Sequence, residues 1–159
     1  MDACSTPRVS FLSKLALTSD LLHFSPPFAQ AYISGANKEH TKIPMTAPVL
    51  TRNLQGNDWL VSFFTPQSIY PDLSTTPQPT AANMDIDPLP LTTFAVLEFP
   101  GEATGISYDI QKGKLVAALL ADNVTLAPAS DEWSVAFAGY DAPNDLFNRH
   151  NEVWVKIIV

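Results

Sequence analysis

Apolar side chains recur at roughly helical spacing between Val9 and Phe24 (Phe11, Leu12, Leu15, Leu21, Leu22), predicting a first helix that Pro26-Pro27 stops or kinks. Residues 1–8 ahead of it show no period and read as a flexible tail. Phe28–Ser34 supplies a further apolar turn or two, closed by Gly35. From Lys42 to Arg52 the period changes to two: Ile43, Met45, Ala47 and Val49 alternate with Pro44, Thr46 and Pro48. Pro44 and Pro48 force extended backbone and remove donors, so this strand suits an edge or a pocket rim. Trp59–Thr65 is strongly β-type. Pro66–Pro90 reads as a long proline-rich loop, with a short strand near Met84–Asp87. Its length suggests a functional opening. Thr92–Pro100, Glu132–Tyr140 and Glu152–Val159 read as strands. Gly105–Asn123 reads as a second helix with Ile106, Ile110, Leu115, Val116, Leu119 and Leu120 inward, and Gly113 weakening it. The second half loosely repeats the first. This order predicts an α+β domain with an antiparallel sheet rather than a parallel βαβ one.

Composition narrows the function. The 159 residues suit one domain, 1–159, and 46% hydrophobic against 16% charged content makes it globular. A net charge of -7 argues against nucleic acid or an anionic membrane as the main partner. The single cysteine, Cys4, excludes an internal disulfide framework and fits a reducing compartment. No apolar run reaches transmembrane length and no signal-peptide pattern opens the chain, so a cytoplasmic protein is expected.

Candidate chemistry is sparse. No His/Cys/Asp/Glu cluster has zinc-type spacing, and no phosphate loop or nucleophile elbow appears, so no metal site is expected. His40 sits in the turn ahead of the Lys42–Arg52 strand, next to Glu39. It reads as an exposed loop residue first, with an axial ligand or a general base at a cavity mouth as the functional alternatives. His150 is a candidate proton shuttle or a plain loop neighbour. His23 lies where it would complement a helix dipole. Arg149, Asn151 and Glu152 form a polar group before an apolar strand, read either as a buried hydrogen-bond network or with Arg149 clamping a ligand carboxylate. Lys42 and Arg52 read either as further carboxylate clamps or as solvated surface cations. Met45, Phe63, Phe64, Phe99, Trp154 and Tyr140 are candidate pocket lining, or ordinary core. Asp85 and Asp87 read as solvated.

Three segments resemble the SOUL haem-binding protein family. They are Tyr32-Ile33-Ser34-Gly35-Ala36-Asn37 with Lys42-Ile43-Pro44-Met45-Thr46-Ala47-Pro48-Val49, then Val61-Ser62-Phe63-Phe64 with Ala95-Val96-Leu97-Glu98-Phe99-Pro100-Gly101, and Gly139-Tyr140-Asp141-Ala142-Pro143 with Arg149, Asn151-Glu152-Val153-Trp154-Val155. The resemblance implies a distorted β-barrel of two pseudo-repeated halves with two flanking helices, binding haem or another tetrapyrrole in an apolar groove. It also implies that the family's first strand, with the histidine that ligates iron in some members, is missing from this chain. A bare edge would follow, open to homodimerisation or strand addition. Two main expectations result. One is a non-enzymatic carrier of haem-like ligands, with haem as the candidate cofactor. The alternative is a cofactor-independent cyclase, isomerase or hydro-lyase acting on a small metabolite in a pocket widened by the lost strand, with His40, His150, Glu152 and Tyr140 as the groups to test.

Overall fold

The computed structural model describes residues 7–14, 27–55, 58–89, 91–142 and 149–159. The elements are β1 (Pro7–Lys14), α1 (Pro27–Ile33), β2 (Val49–Gln55), β3 (Asp58–Phe64), β4 (Met84–Pro88), β5 (Phe94–Pro100), α2 (Gly105–Ala121), β6 (Val135–Gly139) and β7 (His150–Lys156). The seven strands form one sheet in the order β4-β1-β3-β2-β6-β7-β5, with every ladder antiparallel. The α+β architecture with two helices therefore stands. Closure into a barrel does not appear as hydrogen bonding: among the described residues β4 and β5 share no ladder.

Two expectations are corrected. Val9–Lys14 is strand rather than helix: Val9 pairs with Phe63 and Phe11 with Val61 on one side, and with Ile86 and Met84 on the other. The expected tail accordingly ends sooner, since Pro7 and Arg8 already belong to the ladder; residues 1–6 and 15–26, including Cys4 and His23, lie outside the described residues. A strand therefore occupies the place from which one was expected to be missing. With β1 paired to both β3 and β4, a lost strand no longer argues for the widened pocket of the enzymatic alternative, while β4 and β5 stand at the two ends of the strand order.

Alternation divides each strand between two faces. In β7, Asn151, Val153 and Val155 are buried while His150, Glu152, Trp154 and Lys156 are half-buried. The odd positions meet the helices. Under α2 lie Phe99, Phe137, Val153 and Val155 with Tyr108, Leu115, Val116 and Leu119. Under α1 lie Phe63, Ile43, Tyr70 and Met84 with Ala29, Tyr32 and Ile33. Ile106, Ile110 and Leu120 of α2, expected inward, are instead exposed at 72, 53 and 58%. Helix α1 ends on Gly35 at φ 112°, a left-handed conformation that favours glycine. Asn37, fully buried, then knits the following turn: its amide donates to the carbonyls of Tyr32 (3.1 Å) and Thr41 (2.7 Å) and accepts from the Thr41 N–H (3.0 Å). Residues 41–48 do not form the strand expected there, because Pro44 and Pro48 withhold donors. The ladder begins only at Val49.

Helix α2 opens with a reciprocal cap. Thr104 accepts from the Ser107 N–H at 3.1 Å, and Ser107 Oγ accepts from the Thr104 N–H at 2.8 Å. Thr104→Ala is expected to lower the unfolding free energy by about 1 kcal/mol, and Thr104→Ser to restore most of it. Urea unfolding checks this, and an unchanged midpoint for the alanine variant would remove the cap's role.

Candidate functional site

The face away from the helices carries the even positions of β2, β3, β5, β6 and β7. One row across it runs Ser62, Leu50, Ala138, Glu152, Glu98, and β6 to β5 contribute Ala136, Trp154, Val96 to the next. Ala136 and Ala138 are fully buried beneath a cluster of Leu50, Trp133, Phe64, Leu89, Phe94, Tyr140 and Trp154. Toward β5 the cover thins. Val96 is 49% exposed, and Phe94, Tyr140 and Trp154 are half-buried beside it. Phe94 lies against Trp154 with ring centroids 5.4 Å apart.

Glu152 stands within this aromatic strip. Its Oε2 accepts from Tyr140 Oη at 2.8 Å and from Trp154 Nε1 at 2.7 Å, while Oε1 meets His150 Nε2 at 2.7 Å. Trp154 Nε1 is a donor only, so the carboxylate is the acceptor, and His150 completes the arrangement as the donor through Nε2. The other imidazole nitrogen, Nδ1, faces Glu98 Oε1 at 3.6 Å, the ring lies 4.4 Å from that of Tyr140, and the His150 N–H donates to Asp141 Oδ2 at 2.5 Å.

The charges follow from these contacts. Partial burial pushes the Glu152 carboxyl up, but the bonds from His150, Trp154 and Tyr140, with the His150 charge, outweigh it and hold the group below its usual range. The bond to Glu152, followed by the charges of Glu98, Glu152 and Asp141, raises His150 despite some desolvation. Burial, then the hydrogen bond to Glu152 and the charges of Glu152 and Glu98, pushes the Tyr140 hydroxyl up to about 12. At neutral pH the cluster therefore contains an ionised carboxylate, a protonated phenol and an imidazole held toward its charged form.

Of the residues expected from the sequence, His150, Glu152, Tyr140 and Trp154 come together here. The others do not. His40 is exposed in the turn after α1, with φ 52°. Lys42 and Met45 are exposed in the irregular segment that follows. Phe63 and Phe99 belong to the cores beneath α1 and α2. Phe64 shares the helix-free face, but at β3. Arg149 is buried and donates to the Ala142 carbonyl at 3.1 Å. Asn151, two residues on, donates to the Gly101 carbonyl at 2.9 Å, so Arg149 and Asn151 separate from Glu152 by strand alternation. Arg52 is not at a rim: it is 1% exposed, bonded to Glu132 and stacked 3.5 Å over Trp133.

Sequence reasoning missed Phe94, Val96 and Glu98. Their signal is the alternation of β5 set in register against β7, in which Val96 meets Trp154 and Glu98 meets Glu152. Among the described residues no group of three or more His, Cys, Asp or Glu side chains could hold a metal ion, and no helix is long and apolar enough to cross a membrane.

Comparison with known proteins places these features. The human protein "Heme-binding protein 2" (Homo sapiens) is 30% identical over 131 residues, covering 79% of this chain and 60% of its own length. The mouse protein of the same name (Mus musculus) is 28% identical over 130 residues, covering 78% and 60%. The chain thus spans about 60% of the length of these relatives. Among solved structures, "Crystal structure of EcmrR C-terminal domain" aligns with a TM-score of 0.68 at 14% identity, covering 98% of this chain and 93% of that one, a likeness of fold alone. A family model described as "SOUL heme-binding protein" matches residues 29–156, from the start of the α1 core to the end of β7, and the chain belongs to that family.

Proposed function

We propose that this chain binds haem or a similar flat tetrapyrrole on the helix-free face of its sheet, against Phe94, Val96, Tyr140 and Trp154. Family membership and the name of the 30% identical human relative support the ligand class. The observation that carries the location is the half-open aromatic strip beside β5, where a large apolar side chain, Val96, stays 49% exposed next to two aromatic rings. A flat apolar ligand would gain its affinity there from area removed from water.

The same reading makes this face the inside of a curled sheet, the distorted barrel of the family. Chain reach supports it. Pro88 ends β4 and Phe94 begins β5, six Cα steps later, which span at most about 22 Å. Six strand spacings separate β4 from β5 in the sheet order, about 29 Å if the sheet lay flat. The connection cannot cover that distance, so the sheet must bend. Leu89 and Phe94, on either side of the connection, both pack into the cluster on the helix-free face, which supports a bend toward that face. The charge of Asp87 on β4 also acts on Arg52 of β2, across two intervening strands.

Adding haem to the purified protein should shift the Soret band and quench tryptophan fluorescence in a saturable manner. Val96→Glu should weaken binding about tenfold, roughly 1.4 kcal/mol, while Ile106→Glu on the exposed face of α2 should not. Unchanged spectra at micromolar haem, or equal effects of the two substitutions, would reject the proposal.

A further inference from the structure

His150 stands at one end of the strip and leans back over it. On the helix-free face, Val96 with Trp154, Glu98 with Glu152 and Pro100 with His150 form successive rows about 7 Å apart. Both imidazole nitrogens turn toward the middle row: Nε2 meets Glu152 Oε1 at 2.7 Å and Nδ1 faces Glu98 Oε1 at 3.6 Å. The ring also lies 4.4 Å from that of Tyr140, one of the aromatic walls. The two nitrogens are held unequally. Nε2 has a short bond to a carboxylate whose side chain is only 15% exposed. Nδ1 stands beyond hydrogen-bond length from an oxygen of Glu98, a side chain 68% exposed that water can solvate instead.

We infer that His150 Nδ1 is the protein's axial ligand to the iron of haem bound on this face. The inference rests on the proposed haem binding and adds how the iron is held. A neutral imidazole whose Nε2–H donates to Glu152 carries its lone pair on Nδ1. A carboxylate on the far nitrogen is also what orients a metal-ligating imidazole. The residues present thus fit haem, with ring faces for the macrocycle and one nitrogen for the iron. A single axial bond asks for one side chain rather than a cluster, because the macrocycle supplies the equatorial ligands. Among the described residues no other histidine or methionine competes from this face. His40 is exposed in the turn after α1, Met45 is exposed in the irregular segment that follows, and Met84 is buried beneath α1. Tyr140 donates its hydroxyl proton to Glu152 at 2.8 Å and would have to give it up to ligate.

Haem and iron-free protoporphyrin separate a ligand from a lining residue, since they share a macrocycle and only one carries iron. Resonance Raman of the reduced haem complex should show an iron–histidine stretch. The His150→Ala variant should lose that band and bind haem about tenfold more weakly in fluorescence titration, with protoporphyrin affinity nearly unchanged. Added imidazole should restore the lost spectrum. His150→Gln, whose amide still reaches Glu152, should repeat the result, and its retained protoporphyrin binding shows that the fold is kept. His40→Ala is the control and should change none of these readings. A histidine band absent from the parent, or persisting in both His150 variants, would overturn the inference while leaving tetrapyrrole binding in place. Equal losses of haem and protoporphyrin would also overturn it, because His150 would then act as lining alone. Failure of the parent to bind either macrocycle would instead remove the underlying function.

Discussion

Arg52→Ala is expected to lower the unfolding free energy by about 3 kcal/mol, while Arg52→Met costs less than about 1.5 kcal/mol. The contacts explain the difference. Arg52 is 1% exposed, its guanidinium covers Trp133 at 3.5 Å, and Nη1 donates to the Glu132 carbonyl at 2.6 Å. Alanine leaves a void over a tryptophan that is itself only 4% exposed. Methionine refills most of that volume and removes the buried Nε, which has no hydrogen-bond partner. The ion pair contributes less than the packing, since the Glu132 side chain is 62% exposed and water can solvate it once Arg52 is gone. Urea unfolding of both variants measures the stability, and haem titration of the methionine variant separates scaffold from clamp. A clamp for a ligand carboxylate would make methionine as harmful to binding as alanine. An intact affinity is expected.

How far the sequence could be read depended on whether the deciding contact was local. The turn at Gly35, the strand starting near Trp59 and the span of α2 follow from glycine geometry, β-branched and aromatic content, and apolar spacing, and each is found close to where it is expected. The stretch from Val9 satisfies two periods at once. Phe11, Leu12 and Leu15 suit a helix, whereas Val9 and Phe11 alternating with Arg8 and Ser10 suit a strand. The ladder partners that decide it, Phe63 and Ile86, lie some fifty and more positions away. Helix α2 carries apolar residues nearly all round, so spacing could not say which side faces the sheet. Tyr108 settles the rotation by packing on Phe99 and Phe137, with centroids 5.2 and 4.6 Å apart. The site divides in the same way. Tyr140, His150, Glu152 and Trp154 come from neighbouring segments of one hairpin, so each is within reach of sequence reading as a candidate, though that reading groups His40 with them and sets Trp154 apart as pocket lining. Glu98 and Val96 join them only through the register between β5 and β7, which no local pattern encodes.

Replacing Glu152 has the other large expected effect, and its pH dependence tests the cluster directly. Glu152→Ala removes the acceptor for Tyr140, Trp154 and His150 together and leaves the Trp154 N–H half-buried without its carboxylate. A loss of about 3 kcal/mol near neutral pH is expected, with the His150 share discounted because that side chain is 38% exposed. The sign of the pH dependence comes from both partners. The Glu152 carboxyl lies below its ordinary 4.5 in the folded state, so its contribution is present above 4.5 and fades as pH falls through the lowered value. The His150 imidazole lies above its ordinary 6.5, so its contribution is full below 6.5 and disappears as pH rises through the raised value. The two windows overlap between 4.5 and 6.5. Glu152→Gln keeps an acceptor of similar shape but no charge, so its stability deficit relative to the parent should be widest in that interval. It should narrow as His150 deprotonates, and narrow again in acid. In the same variant the His150 titration followed by NMR should move down toward 6.5, with Glu98 and Asp141 retaining part of the shift. A deficit that is flat across pH 4 to 9, with an unmoved His150 titration, would mean that Glu152 acts through shape alone and that the aromatic strip holds no coupled pair.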